Sequence, residues 1–271
     1  MRTPLVALSV AGTDSGGAAG LAADLTTFAA LGAHGASAVT AVTAQDTTGV
    51  HRVVALAPDD VRAQVRAVLD DLPVAAAKTG MLGSAAVAGV VADALAGRVP
   101  LVVDPVLVAT SGAALADEAV VAAYRDLLLP GADVVTPNRD EAATLTGLPW
   151  ETAPESLALA LHDLGPAVVL TGGDPGSGRC LDVVVRDGVV SVLEHPTIAT
   201  RNDHGTGCTF SAALAVGLAR GLDLCAAVSR SQAFVSRALT SSAAWELGRG
   251  RGPVAHTFTP HHHQHHHQQE S

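Results

Sequence analysis

Short β-branched and apolar runs recur along this chain, each followed by a longer amphipathic run, and that alternation limits the fold more than any other feature. "PLVALSVAG" reads as a strand, and "AAGLAADLTTFAALG" as the helix after it, closed by Gly32. "GASAVTAVTAQ" reads as a second strand. "PDDVRAQVRAVLDDL" follows as a helix with Pro58 in its first turn and Val61, Val65, Val68 and Leu72 on one stripe. "VAAAKTG", "PLVVDPV", "ADVVTPN" and "AVVLTGG" read as further strands, separated by the helical runs "SAAVAGVVADALAG", "DEAVVAAYRDLLL" and "RDEAATLTG". "LDVVVRDGVVSVLE" reads as a hairpin turning at Asp187-Gly188. The chain from "CTFSAALAVGLARGL" to "AAWELG" is helical. Strands alternating with helices predict a mostly parallel sheet covered on both faces, with the hairpin antiparallel at one edge. No long linker or internal repeat divides the sequence, so one domain over 1–259 is expected, followed by a disordered His/Gln-rich tail, 260–271.

Composition narrows the function. Of 271 residues, 48% are hydrophobic, enough for a large core, but only 15% are charged and the net charge is −10, which argues against a nucleic-acid partner. No uncharged apolar run reaches the ~18 residues that a membrane helix needs, and Asp14 ends the short apolar N-terminus early. Three cysteines, Cys180, Cys208 and Cys225, without a CxxC pair, fit a reducing cytoplasm rather than a disulfide framework. Lys78 is the single lysine; it follows Ala77, so no phosphate-binding GxxxxGK[ST] loop exists, and a Schiff-base enzyme would have one candidate. No GxGxxG fingerprint is present either.

In open α/β sheets ligands bind beyond the carboxyl ends of the strands. "AGTDSGG", "TAQD", "KTGML", "DPVLVATSG", "TPNRDE" and "LTGGDP" each follow a strand and therefore share one rim. "RNDHGTGCTF" adds a small-residue turn that runs into a helix. Free N–H groups and the dipole at a helix start bind anions, and the same field favours a thiolate. On residues alone the segment is an anion site with a base or nucleophile beside it, or a turn followed by a buried core cysteine.

Together and in this order, "AGTDSGGAAGLAADLTTFAALGAHG", "AVTAQDTTGV", "KTGML", "DPVLVATSG", "TPNRDEA", "LTGGD" and "HGTGCTFSAALA" resemble the hydroxymethylpyrimidine/phosphomethylpyrimidine kinases of thiamine biosynthesis, over about Leu5 to Phe258. That resemblance implies a ribokinase-like three-layer α/β/α fold, ATP and Mg²⁺, and a homodimer. It implies phosphorylation of 4-amino-5-hydroxymethyl-2-methylpyrimidine and, as a second step, of its monophosphate. Gly205, Thr206 and Gly207 would form the anion hole and Cys208 would accept the hydroxyl proton. Gln45, Asp24, Met81, Val106 and Gly12 match pocket positions. Thr171, Gly173, Asn138 and Glu141 match the nucleotide end, and Asp104 with Glu141 the metal. Bland readings stand beside these: a solvated glutamine, a surface carboxylate at Asp24, core filling by Met81, and a helix cap at Asn138 and Glu141.

The sequence departs from the family's pattern in places. Thr110 and Thr171 stand where lysines are usual, Asp174 for a histidine, Asp46 for an asparagine, Ala18 for a glycine, and Ala22 and Thr26 for glutamine and lysine. Two phosphate-site charges are therefore missing. A kinase of pyridoxal or another ring-bearing alcohol, or a binding relative with weakened catalysis, are the alternatives.

Overall fold

The computed structural model describes residues 3–109, 112–172 and 178–257. Eight strands form the main sheet: β1 (Val6–Ala11), β2 (His34–Val39), β5 (Val74–Thr79), β6 (Leu101–Val103), β7 (Val134–Val135), β8 (Ala167–Leu170), β9 (Arg179–Arg186) and β10 (Val189–Pro196). Their spatial order is β10-β9-β8-β7-β6-β5-β1-β2. The six from β2 to β8 pair in parallel, and β9 and β10 close one edge antiparallel. The hairpin turns where predicted: Asp187 (φ 51°) and Gly188 (φ 73°) both take the left-handed conformation that a tight two-residue turn demands.

Apolar residues of successive strands point alternately to two cores. Val6, Leu8 and Val10 of β1 join one, with Leu101 and Val103 of β6 and Val168 and Leu170 of β8. This core is closed by α2 (Pro58–Asp71), α3 (Ala85–Leu95), α4 (Glu118–Ala123), α5 (Arg139–Thr146) and α6 (Pro154–His162). Ala7, Val102 and Val169 join the other, under α1 (Gly20–Ala30), α7 (Thr206–Ala219) and α8 (Leu224–Ser242). Helices on both faces explain why the strands are valine-rich throughout rather than alternating with polar residues.

Three elements differ from expectation. The predicted strand "GASAVTAVTAQ" breaks at Thr40, whose N–H donates to Ala11 and whose hydroxyl donates to Met81 (2.6 Å). Beyond this anchor the chain leaves the main sheet, and β3 (Ala41–Asp46) pairs antiparallel with the unforeseen β4 (Gly49–Ala55) as a separate two-stranded flap. Helix α4 is short, and Tyr124–Leu128 continues it as a π-turn. Helix α6 was not read from the sequence, although Pro154 in its first turn is the same start signal as Pro58 in α2. Among the described residues no helix is long and apolar enough to cross a membrane.

The strand order reverses between β1 and β5: the chain leaves β1 for β2 on one side and returns to β5 on the other. Such a reversal opens a crevice at the carboxyl ends of the two strands.

Candidate active site

A cavity of about 600 Å³ occupies that crevice. Gly12 and Gly80, just beyond β1 and β5, form part of its floor; Gly12 N–H donates to the Met81 carbonyl at 3.1 Å. Asp14 organises the glycine-rich turn above them, accepting from the N–H groups of Gly16 (2.8 Å), Ala18 (3.0 Å) and Ala19 (2.8 Å). Its position two residues before Gly16-Gly17 is an Asx-turn signature that sequence reasoning left unused.

Helix α7 aims its start at the same space. Gly205 caps it with φ 87°, and a Cβ there would lie 1.8 Å from the Ala18 carbonyl oxygen, so the close approach of two turns requires glycine. Gly205, Thr206, Gly207 and Cys208 all line the cavity. The surroundings of the Cys208 thiol oppose the thiolate that a helix start favours. Burial pushes the Cys208 thiol up to about 12, with Asp104 and Asp24 adding to the rise; Lys78 and the Gly20 N–H oppose it without overcoming it. Desolvation and two carboxylates act against the charged form.

On another side stand Asp104, Asn138, Glu141 and Thr171. Asn138 and Glu141 form a reciprocal cap of α5: the Asn138 side chain accepts from Glu141 N–H (2.9 Å) and the Glu141 carboxylate from Asn138 N–H (2.9 Å). The helix cap and the cavity wall are thus one arrangement. Burial, then the charge of Asp104, pushes Glu141 up to about 8. Two buried carboxylates facing one space are relieved by a hard cation. Thr171 donates its N–H to Pro137 at 2.8 Å. Gly173, Thr110 and Asp174 lie outside the described residues.

Gln45, Met81 and Val106 complete the predicted wall. Asp24 does not. Its carboxylate is wholly buried behind the cavity, accepting from Ser9 Oγ (2.6 Å) and twice from Lys78 Nζ (3.0 Å each). Asp46, which raised the concern of an extra negative charge beside Gln45, is committed to its own turn, accepting from Thr48 N–H (2.7 Å) and Oγ1 (2.6 Å). Cys180, read as a core or surface thiol, lines the cavity beside Thr197, whereas Cys225 is exposed.

Lys78, the single Schiff-base candidate of the sequence, does not line the cavity but lies behind it. It is fully buried, bonded to Asp24 and 3.4 Å from Asp104 Oδ2, which in turn accepts from Ser211 Oγ at 2.9 Å. Burial pulls its ammonium down, but Asp24, Cys208 and Asp104 outweigh that and hold it above its ordinary value. An ammonium so held is no nucleophile for a Schiff base. It is the central charge beneath the cysteine and the carboxylates. Its signal was the solitary lysine at the end of an otherwise apolar strand.

The sequence profile described as phosphomethylpyrimidine kinase matches residues 14–255. The hydroxymethylpyrimidine/phosphomethylpyrimidine kinase of Synechococcus elongatus is 46% identical over 258 residues, covering 93% of this chain and 97% of its own length. Among solved structures, the ADP complex of Bacillus subtilis pyridoxal kinase superposes with a TM-score of 0.86 at 33% identity, covering 94% of this chain and 98% of its own. The phosphomethylpyrimidine kinase of Clostridium difficile superposes with a TM-score of 0.76 at 33% identity, covering 87% and 99%. With nearly the whole length matched by the profile and the mostly parallel sheet shared with these kinases, the chain belongs to the phosphomethylpyrimidine kinase family.

Proposed function

We propose that this protein transfers the γ-phosphoryl group of ATP to the hydroxyl of 4-amino-5-hydroxymethyl-2-methylpyrimidine and then to the monophosphate so formed. The observation that carries this reading is the meeting, in one cavity, of an amide on the flap (Gln45) with the start of α7 (Gly205 to Cys208). An amide has a donor and an acceptor side by side and so complements the edge of an aminopyrimidine. The N–H groups of the α7 start hold the oxygens of the transferring phosphoryl group, whose loose transition state asks mainly for positioning and charge. The ionised form of Cys208 receives the hydroxyl proton. Asp104 and Glu141, with Asn138 beside them, would hold Mg²⁺, which neutralises phosphate charge. Magnesium takes one or two carboxylates and draws its other ligands from phosphate and water. The same reading includes one catalytic domain over 1–259, a homodimer and a cytoplasmic location.

Pyridoxal is the second reading, favoured by the close superposition on the Bacillus subtilis pyridoxal kinase. The test is direct. Purified protein with ATP and Mg²⁺ phosphorylates the aminopyrimidine with a kcat/KM at least about tenfold above that for pyridoxal. A reversed preference replaces the substrate, and turnover of neither replaces the kinase with a binding relative.

Among the described residues that line the cavity, Arg251 is the one lysine or arginine, and it is paired with Asp203. Phosphate contacts therefore fall on the helix start and the metal. Placing a cation at Thr171, as Thr171→Lys, raises kcat/KM for ATP by about tenfold, the scale of one charge-assisted hydrogen bond. Steady-state kinetics at varied ATP check this; a variant no better than wild type means that the site does without the charge.

A further inference from the structure

Gln45 does not hang free in the cavity. Its amide nitrogen lies 2.9 Å from Nε2 of His204, a residue from the far end of the sequence, and both line the cavity. An amide NH₂ group can only donate, so in this contact the imidazole nitrogen accepts. Asp14 faces the same nitrogen with its Oδ2 at 3.5 Å; burial raises its carboxyl, but the imidazole and the backbone N–H groups it accepts outweigh that and hold it below its ordinary value.

Both partners are held in place. His204 is buried; its N–H donates to the Gly252 carbonyl (3.0 Å), and its own carbonyl accepts from Val254 (3.3 Å). Gln45 is clamped through its backbone, whose N–H donates to Ser15 Oγ (2.8 Å) and whose carbonyl accepts from the same hydroxyl (2.7 Å). As placed, the amide gives one hydrogen to His204 and leaves its second hydrogen and its carbonyl oxygen for a ligand.

We propose that His204 is a positioning residue for ring recognition: by fixing the Gln45 amide in one orientation, it makes the cavity select rings that carry an exocyclic amine beside a ring nitrogen over rings of similar size that lack the amine. This inference rests on the aminopyrimidine reading above. A ring without the amine leaves the fixed carbonyl unpaired, and an unpaired polar group in a closed site is costly.

The experiment is equilibrium binding of 4-amino-5-hydroxymethyl-2-methylpyrimidine and of pyridoxal to the full chain, by calorimetry. It is run on wild type, His204→Phe, His204→Gln, Gln45→Ala and the double variant Gln45→Ala/His204→Phe. His204→Phe weakens the aminopyrimidine about tenfold and pyridoxal by less than about twofold, the scale of one lost hydrogen bond. His204→Gln keeps most of the preference, because its carbonyl accepts the same N–H. In the Gln45→Ala background the change at 204 has no further effect. In turnover the loss appears in KM with kcat nearly unchanged. Thermal unfolding confirms that each variant folds, and His204→Leu serves as a second removal variant. The inference is overturned if a folded His204→Phe or His204→Leu keeps the wild-type preference, weakens both ligands equally, or still weakens binding when Gln45 is gone. A wild type that binds pyridoxal more tightly overturns the ligand reading itself and is seen before any variant is made.

Discussion

Replacing Cys208 with alanine lowers kcat by about a hundredfold or more while leaving the fold intact, the usual scale for removal of a general base. The helix start survives the change, because Gly205 and not the cysteine supplies the cap of α7. The pH profile carries the sharper information. With the thiol held up near 12 by burial and the adjoining carboxylates, only a small fraction is ionised at neutral pH. A base must be deprotonated to act, so wild-type kcat rises with pH across the range below that value, toward tenfold per unit. The alanine variant, slow throughout, shows no such rise. Mg²⁺ at Asp104 and Glu141 would offset Asp104, one of the two carboxylates that raise the thiol, and shift the rise to lower pH. Steady-state kinetics from pH 6 to 10 on both proteins test this. A Cys208→Ala enzyme as fast as wild type means that the helix start alone suffices and that the cysteine is no base.

Lys78→Met unfolds the protein more readily by about 3–5 kcal/mol, because it leaves the buried Asp24 carboxylate without its ammonium. For a chain of this size that is a fall in Tm of about 10 °C. The pH dependence has a defined sign. Lys78 is held above its ordinary value, so in the wild type its contribution is complete below ~10 and is lost only as pH rises further. In the variant Asp24 is buried without a partner, its folded pKa lies above the unfolded ~3.9, and the protonated form favours folding. The variant is therefore closest to wild type in acid and falls further behind as pH rises. Lys78→Met combined with Asp24→Leu removes both charges and recovers most of the loss. Denaturant unfolding at pH 5 and pH 8 measures all three. Equal stability of Lys78→Met and wild type at pH 8 would mean that the pair is not ionised in the folded protein.

Much of the architecture was legible because apolar periodicity reports burial directly. Valine-rich runs of strand length, separated by striped helices, leave few arrangements besides a covered parallel sheet, and Asp187-Gly188 names its own turn. The flap was missed for a physical reason. "GASAVTAVTAQ" has continuous strand character, and nothing local marks Thr40 as the break; that break is made by hydrogen bonds to Ala11 and Met81, 29 and 41 residues away.

The sequence by itself determined which chemical groups are available and their order along the rim: the small-residue turn before Cys208, the paired Asn138 and Glu141, the glutamine after a strand and the solitary lysine. Those follow from covalent order and local turn chemistry. Only the tertiary structure decided the charge states and partners. It buried Asp24 with Lys78 instead of setting it in the pocket, raised the Cys208 thiol where a helix start alone would lower it, and joined Gln45 to His204 across 159 residues. Desolvation and Coulomb energies depend on every neighbour in space, and such neighbours come from strands and helices far apart in the chain.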